Sequence, residues 1–170
     1  MMGLESIAFA LIKTLTSFVF SQILSHSSVS IDGAPDWFMK ENRYQMCASA
    51  YKYGDLSSIE IAKSKSIDLL KDRVENLLII VVNENIKNAT PEEKVFLEAF
   101  VTDRSFEIFI MKNTNFKDIK YDKKHKVSFV RACIDREEFL EFEKKKIDEL
   151  KKKLTIERSN KAFEELENEN

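Results

Sequence analysis

Residues 126–139 read KVSFVRACIDREEF, and this stretch decides the fold. In its first part, Val127, Phe129 and Arg131 alternate with Ser128, Val130 and Ala132. Alternation of period two, rich in β-branched and aromatic residues, predicts a strand over 126–134. Asp135 then stands where a helix N-cap belongs, since its carboxylate can accept from the free amides of a first helical turn. The sequence that follows is charged, with Phe139, Phe142, Ile147, Leu150 and Leu154 on a narrow apolar stripe. A long helix is expected over 136–170. Its Glu137, Glu138, Glu141 and Glu143, beside Lys144–Lys146, read as a solvated face with i,i+4 pairs.

Moving back along the chain, SFEIFIMK at 105–112 places Phe106, Ile108 and Ile110 on one face of a strand. The intervening NTNFKDIKYDKKH, 113–125, is polar and reads as a long hairpin connection. Thr90, Pro91, Glu92 and Glu93 open a helix: a hydroxyl cap, proline at the first helical position, and acids at the positive end of the dipole. That helix carries Val95, Phe96, Ala99 and Phe100. Before it, Ser57 with Glu60 suggests a capping box. Ile67, Leu70, Val74, Leu77 and Val81 then step by three and four along a long helix. Within it, Leu77, Leu78, Ile79, Ile80, Val81 and Val82 form a run that is apolar all round. As helix it must be covered on several sides, which makes it a candidate assembly surface; a strand is the competing reading. Tyr44–Tyr53 mixes aromatic and small residues, ends at Gly54, and reads as a strand.

Strands and helices therefore segregate. The expected fold is α+β: a small, three-stranded, mainly antiparallel sheet in the order β-α-α-β-β-α, with helices on one face and a long C-terminal helix. The expected organisation is residues 1–30 as a signal peptide or hydrophobic anchor, 31–135 as the α+β domain, and 136–170 as the charged helix. In the first segment, Ile7–Leu24 carries one charge, Lys13, and precedes the small residues SHSSVS. That pattern resembles a secretory signal, although Glu5 is unusual there. An uncleaved membrane anchor and a buried amphipathic helix are the rival readings.

The 170 residues carry a net charge of -2, without the basic excess that binding to nucleic acid needs. Only three glycines occur, Gly3, Gly33 and Gly54, and none belongs to a phosphate-cradling loop. The two cysteines, Cys47 and Cys133, fit no zinc or redox spacing; they are either a candidate disulfide or two buried thiols. His26 and His125 lack the neighbours of a metal motif, and no GxSxG elbow is present. No catalytic or metal residues, and no cofactor, are therefore assigned. Lys117, Lys120, Lys123, Lys124 and Lys126 make a candidate basic patch, for an acidic partner, peptidoglycan or lipid phosphate. The simpler reading is a solvated hairpin tip.

The residues GAPDWF at 33–38, the strand ending in Tyr53 and Gly54, and the helix with Ala62, Ser64 and Ser66 together resemble the LPP-twenty lipoprotein family. Flagellar basal-disk proteins of the FlgP/FlgQ kind belong to the same broad group. Ala34, Pro35, Asp36 and Trp37 are the sharpest part of a likeness that spans about residues 33–150. The chain departs from the pattern in having no lipobox cysteine and fewer alanines in the long helix. The resemblance implies a compact α+β domain without catalytic residues. It would be exported to the periplasm or the outer membrane and work as a structural subunit of a flagellar motor disk or scaffold needed for motility. The implied partners are further copies of the chain, or other envelope and motor proteins, with membrane association through the N-terminus. The alternative is an adhesin-like envelope binding module.

Overall fold

The computed structural model describes residues 31–86 and 89–168. The expected signal or anchor, residues 1–30, lies outside the described residues. Strand β1 (Gln45–Tyr53) leads into helix α1 (Ser58–Asn85), followed by α2 (Pro91–Val101) and α3 (Arg104–Asn113). The hairpin of β2 (Asn115–Asp122) and β3 (Val127–Asp135) comes next, and α4 (Arg136–Asn168) completes the order. The three strands form one antiparallel sheet in the order β1-β3-β2. The α+β class, the three-stranded sheet and the long terminal helix are as expected.

The central strand β3 is the sequence feature that organises the rest. It is buried along almost its whole length, because both of its faces are covered. Ser128, Val130, Ala132 and Ile134 face α1, whose Ala62, Ser66, Leu70, Val74 and Leu77 are buried. The polar pair in this contact is satisfied: the hydroxyls of Ser58 and Ser128 hydrogen-bond at 2.6 Å. A buried hydroxyl without such a partner would cost about 1–3 kcal/mol.

Several local readings change. Residues 105–112 are not a strand but most of α3. The carboxylate of Asp103 accepts from the amides of Ser105 and Phe106, at 2.8 and 3.3 Å, and so starts a helix there. The buried set is Phe106, Phe109 and Ile110, of helical spacing, whereas Ile108 is exposed. The second strand instead lies in the polar stretch taken for a connection. As an edge strand, β2 is held by backbone bonds to β3 and needs little apolar surface. At α1, Ser57 occupies the cap position without a side-chain cap bond. Its hydroxyl donates to Asp55, and Glu60 pairs with Lys63, so the expected capping box is absent. At α2 a capping box does form: the Thr90 amide donates to Glu93 Oε2 and the Glu93 amide to Thr90 Oγ1. That helix turns Leu97 and Val101 inward and leaves Val95 and Phe96 exposed, a rotation of the expected apolar face.

Helix α4 packs onto the rest of the domain. Asp135 caps it by accepting from the amide of Glu137 at 3.0 Å. Phe139, Ile147, Leu150 and Leu154 are buried, and Arg158 grips Glu93 of α2 at 2.8 and 3.0 Å. Residues 33–170 group as one unit that includes it.

Candidate functional site

The face of the sheet away from α1 carries the residues of most interest. Val127, Phe129, Arg131 and Cys133 of β3 lie on it, opposite Tyr53, Tyr51, Ser49 and Cys47 of β1. Cys47 and Cys133 face each other in register, and they are bonded. Of the two readings of these cysteines, the structure shows the disulfide. It joins positions separated by 86 residues, across directly paired strands whose Cα atoms are 4.1 Å apart.

Residues 33–40 cross this face as a strap. Two tight turns shape it: Phe38 N donates to Pro35 O at 2.9 Å, and Lys40 N to Trp37 O at 3.1 Å. Phe38 is buried, its ring set edge-on against Phe129 at 5.0 Å. Arg131 holds the strap from below. Its guanidinium donates to the carbonyls of Trp37 and Lys40, at 2.9 and 3.1 Å, pairs with Asp118 of β2, and lies 5.4 Å from the centre of the Trp37 ring. One cation thus ties three segments together, and the aromatic face adds a cation–π contact. Within the motif Ala34, Pro35, Asp36 and Trp37, the proline and tryptophan build this clasp, while Ala34 and Asp36 are exposed. Phe38 is the strap's main apolar anchor.

The strap begins at Gly33 against the β2–β3 turn. Gly33 has φ +79°, and a Cβ there would lie 2.3 Å from Asp122 Oδ2 and 2.8 Å from His125 Nδ1. Only glycine fits that approach and that conformation. Asp122 accepts from the amides of His125 and Lys124, at 3.1 and 2.8 Å, and these bonds hold its carboxyl below the ordinary range. His125 serves this turn; among the described residues no cluster of three His, Cys, Asp or Glu could hold a metal.

The five lysines of the candidate patch are all exposed. Lys120, Lys123, Lys124 and Lys126 lie toward the hairpin end, and Lys117 sits at a β-bulge between Phe116 and Asp118. Lys120 Nζ reaches Gly33 O at 3.2 Å, and Asp118 is engaged by Arg131. The five lysines therefore lie on edge strand β2 and on the turn that follows it.

The other candidate surface is corrected. Leu77, Leu78, Val81 and Val82 are buried, and Ile79 and Ile80 are half-buried. The run is apolar all round because the domain's own elements cover it, so it offers no exposed assembly face. Sequence reasoning also misplaced Glu143 and Lys146, which are each only 3% exposed. Lys146 Nζ is 2.5 Å from Asp103 Oδ1, so it ties α4 to the cap of α3. Glu143 Oε2 has no hydrogen-bond partner among the described residues, and burial pushes its carboxyl up to about 7.

A groove of about 560 Å³ runs beside β1, lined by Ser49–Tyr53 and by Lys65, Asp68 and Leu69 of α1. It was not foreseen, since it depends on β1 being an edge strand with a helix set just behind it. The described residues thus present a disulfide-locked sheet, a strapped face, one lysine-bearing edge and one edge that is open among them. No protein-family model matches the chain, and no curated protein does.

Proposed function

We propose that this protein is a non-enzymatic structural subunit of an exported assembly, periplasmic or associated with the outer membrane. The observation that carries this reading is the Cys47–Cys133 disulfide. Such bonds persist in oxidising compartments and are rare where thiol reductants keep cysteines reduced. The export-like stretch Ile7–Leu24 agrees with it. The remaining features fit a rigid building block: a covalently locked sheet, a strap fixed by Arg131, and a terminal helix packed onto the core. The narrower role, a part of a flagellar motor disk or scaffold, rests on the resemblance carried by residues 33–38 and the elements after them.

The test is fractionation of native cells followed by mass spectrometry without reductant. The expected result is protein in the periplasmic or outer-membrane fraction with Cys47 and Cys133 bonded. Reduced protein in the cytosol overturns the reading. For the motor role, deletion of the protein is expected to abolish or impair swimming while leaving growth intact; unimpaired swimming removes it.

A second reading, an envelope binding module, draws on the exposed lysine patch. Neutralising Lys120, Lys123 and Lys124 together is then expected to abolish binding to anionic envelope polymers or lipids with the fold unchanged.

A further inference from the structure

The two edges of the sheet are unlike. Edge strand β2 carries a bulge at Lys117 and the lysines Lys117 and Lys120, features that discourage pairing with another strand. Edge strand β1 has neither bulge nor proline: its register with β3 runs unbroken from Gln45 to Tyr53, and its one lysine, Lys52, is at a position paired to Ser128 of β3. In an antiparallel pair, alternate residues bond to the neighbour and the others turn their peptide groups outward. Arg136 N donates to Tyr44 O and Gly54 N to Lys126 O, so the even-numbered residues of β1 are those bonded to β3. The short Cα separation at Cys47 and Cys133 is that of a non-hydrogen-bonded pair, which agrees. The odd-numbered residues therefore present amide and carbonyl groups to the outside. Cys47 O is taken by Arg73 at 2.6 Å. Among the described residues Ser49, Tyr51 and Tyr53 remain as an open edge, and they line the groove.

We propose that this edge pairs with β1 of a second copy, antiparallel about a two-fold axis at Tyr51, and joins two three-stranded sheets into one. This rests on the structural-subunit reading and gives it a specific contact. With the axis at Tyr51, Ser49 of each copy pairs with Tyr53 of the other and Tyr51 with Tyr51. About six backbone hydrogen bonds form, all from groups now facing out. The side chains suit this register: a small serine lies opposite a tyrosine, and two tyrosines meet as an aromatic cross-strand pair.

The groove supplies the argument for a second copy over another strand. Its helical wall carries Lys65, Asp68 and Leu69, and Leu69 is 49% exposed. Lys65 and Asp68 make no ion pair among the described residues. Under a two-fold operation the same patch meets itself, so Lys65 of one copy faces Asp68 of the other, and the reverse. A wall bearing both charges a turn apart is self-complementary in an antiparallel dimer, and each Leu69 is covered between them.

Sedimentation of the full chain across concentrations tests this. The expected result is a dimer, or a larger assembly that reduces to monomers when the edge is blocked. Ser49→Pro blocks it: the lost amide points away from β3, so the internal ladder survives while the partner strand is refused. Lys65→Asp is expected to weaken association at least tenfold, and the double variant Lys65→Asp/Asp68→Lys to restore it, with unchanged circular dichroism in each case. Restoration by the double swap is the decisive result, since loss of folding cannot produce it. A discrete oligomer unaffected by Ser49→Pro and by the charge swaps overturns the edge contact but leaves the structural-subunit reading standing. A monomer at every concentration overturns the contact between copies and leaves the groove to a strand of another protein; the structural-subunit reading is overturned separately, by reduced protein in the cytosol.

Discussion

Replacing Glu143 by Gln should stabilise the protein at alkaline pH and leave it unchanged at acid pH. The carboxyl is buried on the inner stripe of α4, with Phe139, Lys146, Ile147 and Leu150 on the same side. Burial raises it to about 7 from an ordinary value of 4.5. The folded state therefore holds this proton more tightly than the unfolded chain does. Stability is complete below pH 4.5, falls as the pH climbs through 7, and levels off above. A shift of that size corresponds to about 3 kcal/mol. Glutamine keeps the shape and never ionises, so it removes this loss. Urea titrations of both proteins at intervals from pH 5 to 9 measure it. With an ordinary urea slope, the midpoints should lie within about 0.5 M of each other near pH 5 and separate by roughly 1–3 M at pH 9. Other perturbed carboxyls act in a different window. Glu93, lowered to about 2 by the Arg158 side chain and the Thr90 amide, supports the fold above pH 4.5 and loses that effect as the pH falls toward 2. Parallel midpoints across the whole range would refute the reasoning and place Glu143 in contact with water or a cation.

Three further outcomes are expected. Arg131→Ala should release the strap, cost about 3 kcal/mol because it leaves two carbonyls and Asp118 without their cation, and shift the Trp37 emission toward that of an exposed indole. An unchanged emission spectrum would show that Phe38 holds the strap alone. Removing the disulfide with Cys47→Ala and Cys133→Ala together should lower the unfolding free energy by about 4–5 kcal/mol in the chain-entropy account of a loop of this length, read from urea curves. Gly33→Ala should cost about 1–2 kcal/mol, because its φ of +79° and the nearness of Asp122 both oppose a side chain; calorimetry would read this as a fall in Tm of roughly 2–8 °C.

The sequence was most legible where one signal acted alone. Period-two alternation found β3, a stripe stepping by three and four found α1, and caps at Thr90 and Asp135 found the starts of α2 and α4. It misled where two periods competed. Phe106, Ile108 and Ile110 alternate like a strand, yet Asp103 caps a helix, and burial of Phe109 in place of Ile108 completes it. Edge strand β2 was illegible because its stability lies in backbone bonds to β3, which leave no apolar signature. Glu143 and Lys146 were hidden by the company they keep on a charged helix. The available signal was their spacing, since both fall on the stripe from Phe139 to Leu154. The cysteines could be noted as a pair, but only the register of β1 on β3 sets them face to face. For the strap, the block at residues 33–38 was visible in the sequence, whereas Arg131, which holds the carbonyls of Trp37 and Lys40, is far away in sequence.

The placement of the Cys47–Cys133 bond governs how the molecule would carry mechanical load. Tension applied to the two ends enters β1 and leaves through β3, and the covalent bridge between them short-circuits everything in between. Helices α1, α2 and α3 and strand β2 lie inside that closed loop and are shielded from the pull. Only the chain before Cys47 and after Cys133 can lengthen, by at most about 3.3–3.6 Å for each residue released. The strap and α4 would yield first and act as extensible tethers, while the middle of the domain stays intact until the bond is reduced.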